Sequence, residues 1–332
     1  MKQLTKLLLP FLAATGTLSA HEGPWTSARP DGHAPISVMG DHMHAKGEWM
    51  LSYRYMSMEM EGLLKGSDTI APASSGYAMM GAMLPKDMSM DMHMFGGMHA
   101  ISDKWTLMAM VNYLDNEMTM QNGGSMETNG LGDLSFNGLY DLASWDNGRR
   151  VHLRVGIGAP TGSIDERKTD GVIQPYGMQL GSGTWDFLPA LTFLGQTEVY
   201  SYGLQVGGVL RMGDNDRDYS LGHRFDASLW GARALGDSFS ISAKFDYLAL
   251  GEVDGEDKEV TAMLKGMTSG YEATSQGRDL STFGLGVNYY CRDGAFKGHR
   301  LALEWETPLG EDVNGVQLET DSIWTLGWQY AW

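Results

Sequence analysis

Near its carboxyl end the chain alternates with a period of two, and Trp324, Leu326, Trp328, Tyr330 and Trp332 form one row. Successive side chains of a β-strand point to opposite faces, so this is a strand with one aromatic, apolar face. The pattern recurs along the chain. Trp49, Leu51, Tyr53 and Tyr55 stand opposite Met50, Ser52 and Arg54, and Val151, Leu153, Val155 and Ile157 opposite His152, Arg154, Gly156 and Gly158. Phe239, Ile241, Ala243, Phe245 and Tyr247 alternate in the same way with Ser240, Ser242, Lys244 and Asp246. Burying Arg54 or Arg154 in a sandwich core is costly, whereas the wet lumen of a membrane barrel accepts them. The expected fold is all-β: a transmembrane antiparallel barrel whose outward rows meet lipid.

Counting rows, with one near residues 88–100, gives twelve strands, an even number that closes a barrel with both ends on one side. Closure matters because lipid cannot satisfy an open sheet edge. The connections segregate by length. Those at Ser102-Asp103-Lys104, Trp145–Gly148, Gly236-Asp237 and Arg292-Asp293-Gly294 are short, while 61–87, 160–185 and 251–279 are long. Short periplasmic turns and long external loops are what such a barrel needs.

The amino end fits export. Lys2 and Lys6 precede an apolar run from Leu7 to Ala14 and then small residues to Ala20, the pattern of a cleaved secretory signal over 1–20. That run is too short to cross a membrane as a helix. Residues 21–45 then form a His- and Met-containing periplasmic segment, and 46–332 the barrel. The formal net charge of -17 argues against nucleic acid as a partner. The single cysteine, Cys291, rules out an internal disulfide and makes a thiolate metal centre improbable. No nucleophile elbow, phosphate loop or metalloprotease helix occurs, so the chain does not read as an enzyme.

One feature has a chemical flavour: 19 of the 24 methionines lie between Met39 and Met126. Thioethers suit Cu(I), and imidazoles suit Cu(II) or Zn(II). Met56, Met58 and Met60 approach the outer end of the first strand, and Met118 and Met120 the same end of the third. Between them, polarity suggests that Asp91 and His93, the latter a further candidate metal ligand, face the lumen and the alternate methionines face lipid, although a bulge at Gly96-Gly97 would exchange the rows. A second candidate cluster is His21, His33, His42 and His44 in the amino-terminal segment. Ordinary packing of an adaptable apolar residue, and a polar tail or plug, are the competing readings. Arg54, His152, Arg154, Lys244 and Asp246 are expected to line the lumen. Trp328, Tyr330 and Trp332 are expected to serve recognition by the outer-membrane assembly machinery.

Several segments resemble known sequences. Ala34–His44, Gly47-Glu48 and Ser52–Met56 look like bacterial outer-membrane proteins described as transporters. Gly156–Gly162, Gly181–Phe187 and Tyr202–Gln205 resemble the wider outer-membrane family linked to aromatic meta-pathway (phenol degradation) proteins. The resemblance implies an outer-membrane barrel passing small apolar or aromatic compounds, with lipid and the assembly machinery as partners. The Met/His-rich front departs from that picture and adds copper as a candidate cargo or bound ion. A non-conducting copper-buffering or structural barrel is the alternative.

Overall fold

The structure, a computed structural model, describes residues 25–77 and 83–332. The expected leader, His21 and the loop methionines Met79 and Met80 fall outside them. Among the described residues no helix is long and apolar enough to cross a membrane. The described residues are built mostly from strands.

Eleven β elements form the wall: β1 (Trp49–Gly66), β2 (Pro85–Ser102), β3 (Trp105–Met120), β4 (Leu134–Trp145), β5 (Arg149–Ala159), β6 (Ala190–Gln196), β7 (Tyr200–Met212), β8 (Arg224–Leu235), β9 (Phe239–Leu250), β10 (Arg278–Tyr290) and β11 (His299–Ala331). Each pairs antiparallel with its neighbours, and β11 pairs with β1 to close the sheet. The expected count of twelve is therefore corrected to eleven. Residues 298–307, counted among the twelve as a strand of their own, and the terminal row at 324–332 fall within or beside one uninterrupted 33-residue element, His299–Ala331. Its first leg pairs with β10 through Val313, and its second pairs with β1 from Val313 onward. The reversal falls at Asn314-Gly315, where Gly315 has φ +68°, a conformation that glycine adopts without a Cβ penalty. A turn this tight never interrupts the ladder. The start of β1 and the end of β11 meet at one rim, where Trp49 and Trp332 exchange two 3.0 Å backbone hydrogen bonds. Ring stacks there join Trp49 to His99 across the strands and Tyr330 to Trp332 along β11.

Outward rows are apolar and exposed, as at Leu51, Phe95, Phe136, Ile241 and Leu326. Inward rows are buried and mostly polar or methionine, as at Ser52, Met98, Thr192, Ser242 and Thr325. A second correction concerns β2. Its methionines face inward, and Asp91 and His93 lie in the outward row with Phe95 and Ile101. Residues directly opposite in a ladder share a face, and Met56, Met58 and Met60 pair with Met92, Met90 and Met88. The β1–β2 register runs unbroken through Gly96 and Gly97, so no bulge exchanges the rows. The outward polar groups find local partners: the Tyr53 hydroxyl lies 2.8 Å from His93 Nδ1, and the Tyr55 hydroxyl donates to Asp91 at 2.8 Å.

Candidate functional site: a plugged lumen

Residues 25–45 thread into the barrel from the rim where Trp49 and Trp332 meet. Irregular backbone inside a barrel must find partners for its amides and carbonyls, and the inward row supplies them. Arg300 donates to the carbonyls of Ser27, Arg29 and Pro30 at 3.1, 2.7 and 2.7 Å. Ser240 also donates to Pro30, and Ser201 to Asp31. Higher up, Arg54 donates to Ile36 at 2.8 Å, Arg154 and Gln205 donate to Met39 at 3.0 and 3.2 Å, and His152 Nε2 sits 2.9 Å from the Gly40 carbonyl. Ala34, Ile36, Val38 and Met43 are buried, and a Cβ at Gly327 would lie 2.3 Å from Ile36, so the wall is glycine where the plug presses closest.

A buried charge cluster anchors the plug's middle. Lys244 Nζ lies 2.6 Å from Asp246, 2.7 Å from Glu304 and 3.0 Å from Glu306, and it also contacts the Ser37 hydroxyl. Glu304 accepts from the Ser37 amide and hydroxyl at 3.0 and 3.2 Å.

Within the plug, His33, His42 and His44 are buried side by side. Ring centroids are 3.9 Å apart for His33 and His42, and 4.8 Å for His42 and His44. One ligand atom each from His33, Asp41 and His42 falls within 4.8 Å of the others, a group able in principle to hold a metal ion. Burial holds His33 well below its ordinary pKa, reinforced by nearby Arg300. Burial, with His42 beside it, pushes His44 down to about 3. For Asp41 burial acts upward, but His42 and the Ala34 amide outweigh it and hold the carboxyl down to about 2. These two imidazoles are therefore neutral at ordinary pH and available as nitrogen donors.

Along one wall the inward methionines of β1, β2 and β3 form a continuous surface. Met50, Met98 and Met108 meet plug residue Met43 and Leu139 near the terminal rim. Met56 and Met92, then Met58 and Met90, pair above them, and Met60, Met88 and Met118 follow across the three strands. At the far end Met60, Met88, Met120, Met126 and Met178 pack with Leu63 and Leu84. Thioethers thus line the wall from plug to loops.

The loop rim is closed as well. Loops 160–189, 213–223 and 251–277 share an apolar cluster that includes Ile173, Tyr176, Tyr219, Val260 and Tyr271. Asp257 caps helix α1 (Lys258–Met263) and is held by Arg217, which also bonds Glu259 at 3.0 Å. Hydrogen bonds from Arg167 and Arg217 hold the Glu259 carboxyl down to about 2. Residual space is small. A cavity of about 140 Å³ beside the plug is lined by His33, Glu48, Tyr290, Arg300, Gln329 and Trp332. Ligand pockets usually exceed that by twofold or more.

Residues 86–294, more than half of the chain, match the model of a family described as putative MetA-pathway of phenol degradation. The chain belongs to that family. Among solved structures it is similar to an outer membrane channel from Pseudomonas putida F1, at 12% identity and a TM-score of 0.65, covering 90% of this chain and 100% of that one. It also aligns with the β domain of a Bordetella autotransporter (12% identity, TM-score 0.45, 86% and 100% covered). A FadL homologue of Pseudomonas aeruginosa aligns too (10% identity, TM-score 0.43, 93% and 99% covered). A comparison with curated proteins finds no match. The chain thus belongs by sequence to that family and shares the β-barrel fold of an outer membrane channel.

The structure places the sequence-derived site residues as follows. His33, His42 and His44 come together. Met58, Met60, Met118 and Met120 join one cluster, and Met56 lies one ladder step nearer the plug, opposite Met92. His93 stands apart on the outer face. Arg54, His152, Arg154, Lys244 and Asp246 all face the lumen, where the first four touch the plug and Asp246 supports Lys244. Trp328 and Tyr330 contact His299 on the first leg of β11, and Trp332 stacks on Tyr330. Sequence reasoning missed Arg300, Ser201, Gln205, Ser240, Glu304 and Gln329. Each lies in the inward register of its strand, and that alternation was the signal available for finding them.

Proposed function

We propose that the protein is an outer-membrane channel for small apolar or aromatic compounds, closed at rest by its amino-terminal plug and its loop cap. The carrying observation is the methionine wall. It gives an apolar, adaptable surface from one rim to the other beside a plug held mainly by hydrogen bonds. In this reading residues 1–20 are a leader cleaved after Ala20, 21–45 enter from the periplasm, and 46–332 form the barrel. Lipid and the assembly machinery are the partners. Removing Trp332 should lower the amount of barrel in the outer membrane several-fold, because the last aromatic rows close the sheet against β1. Quantitative immunoblotting of outer-membrane fractions checks this, and normal abundance and heat stability of the truncated chain would count against it.

A second reading, Cu(I) as cargo, is favoured by one observation: Met60, Met88 and Met118 stand side by side on adjacent strands, and three thioethers at one height suit a soft ion. Replacing Met56, Met58, Met60, Met118 and Met120 with leucine separates the two, since apolar bulk stays and sulfur goes. Under the apolar reading, uptake of radiolabelled toluene by cells expressing the variant stays within about twofold of wild type, because Leu–Met exchange is nearly volume-conserving. Wild-type uptake of Cu(I) that disappears in the leucine variant, with no toluene uptake by either, would replace this reading with the copper one.

A further inference from the structure

We propose that His33, His42 and His44 form a transition-metal site that locks the plug in the lumen. The three rings are buried and adjacent, and their hydrogen bonds leave donor nitrogens free. His42 Nδ1 lies 2.9 Å from Asp41 Oδ1. A carboxylate only accepts, so Nδ1 carries a proton, and Nε2, the nitrogen left to ligate, is buried with no hydrogen-bond partner. Asp41 is itself held by the Ala34 amide at 2.9 Å. Carboxylate to imidazole to metal is the arrangement by which outer groups orient a ligating histidine. His33 Nδ1 lies 2.9 Å from Gln329 Oε1 on the wall, which leaves its Nε2 as the second donor. The third ring, His44, has both nitrogens buried without a hydrogen bond, its Nδ1 being 3.5 Å from the Glu48 carboxylate.

Orphaned buried nitrogens cost free energy, and a bound ion is the chemistry that recovers it. Imidazole nitrogens suit a borderline ion, Zn(II) or Cu(II), over Ca(II) or Mg(II), which require oxygen ligands. Zinc bonds of about 2.0–2.1 Å place neighbouring donors about 3.3 Å apart, so the rings draw together on binding. Arg300 near His33, Arg150 near His44 and Arg54 near Asp41 oppose the cation, while Asp41 and Glu48 attract it. The ion would join both ends of the 33–44 segment while His33 holds Gln329 and the His44 amide donates to Thr106. It therefore staples the plug in its lumen conformation. That locking matters for transport only if the channel reading holds, so the test avoids transport altogether.

The full-length protein, stripped with EDTA in detergent, is titrated with Zn(II), Cu(II) and Ca(II) by calorimetry. One Zn(II) or Cu(II) per chain is expected, and no Ca(II). H33Q together with H42Q should weaken binding by more than about a hundredfold while the barrel keeps its heat-resistant migration. Zinc X-ray absorption on the wild type, which needs no variant, should show imidazole nitrogens. In a Cys291→Ser, Ser240→Cys chain, Zn(II) should slow maleimide labelling beneath the plug by about tenfold, equivalent to ~1.4 kcal/mol of added closure. Absence of stoichiometric binding, binding indifferent to the histidine changes, or sulfur scattering near 2.3 Å would each overturn the site. Binding that leaves labelling unchanged would overturn the lock.

Discussion

In a Cys291→Ser background, a Ser240→Cys barrel should react very slowly with a membrane-impermeant maleimide, and deleting residues 25–44 should raise that rate by at least about a hundredfold. Ser240 is fully buried in the native chain, with its hydroxyl donating to the Pro30 carbonyl at 2.8 Å. A reagent reaches position 240 only when the plug leaves. Departure breaks the three Arg300 hydrogen bonds and those from Arg54, Arg154 and Gln205, and it exposes Ile36 and Val38. Even ~3 kcal/mol of opening free energy keeps the exposed population near one in a hundred. Because the loop cap is a separate closure built from other residues, the deletion alone should open the terminal rim without making a through-pore. Equal labelling of full-length and deleted chains, both folded by heat-modified migration, would show that the plug is not what shields the lumen.

The barrel was legible because lipid and lumen impose opposite demands on alternate residues, and the sequence carries both. Trp49, Leu51 and Tyr53 could only face outward once Arg54 faced inward. The inward placement of Met56, Met58, Met60, Met118 and Met120 followed from the same alternation. What the pattern did not carry was pairing between strands. Asp91 and His93 looked like lumen residues because polar groups usually seek water; their partners are the hydroxyls of Tyr55 and Tyr53 on the neighbouring strand. The strand count failed for a local reason, since Asn314-Gly315 reverses β11 within a continuous ladder. The plug has no periodicity to read. Its irregular backbone is fixed by long side chains from strands up to 273 residues away in sequence, so its histidines could be suspected as a group but not placed.

The Lys244→Met barrel should lose about 3–5 kcal/mol of stability, the usual cost of removing one partner from a buried ion cluster. Among the described residues Lys244 is the only cation paired with Asp246, Glu304 and Glu306, and Glu304 and Glu306 are themselves buried. Methionine fills the space of the lysine stem but supplies no charge, so the carboxylates are left to repel one another in a site with little water. Thr282 still donates to Glu306, and Ser37 to Glu304, yet neutral hydrogen bonds offset only part of an uncompensated buried charge. Adding Glu304→Gln and Glu306→Gln to Lys244→Met should recover most of the loss, since neutral amides keep similar shape and some of the hydrogen bonds. Urea unfolding of the barrel refolded in lipid vesicles, followed by tryptophan fluorescence, measures all three chains. The charge-cluster account requires a large deficit in the single variant and its relief in the triple one. A single variant within about 1 kcal/mol of wild type, the range of a solvent-exposed pair, would mean that water reaches the cluster and that the plug is not anchored there.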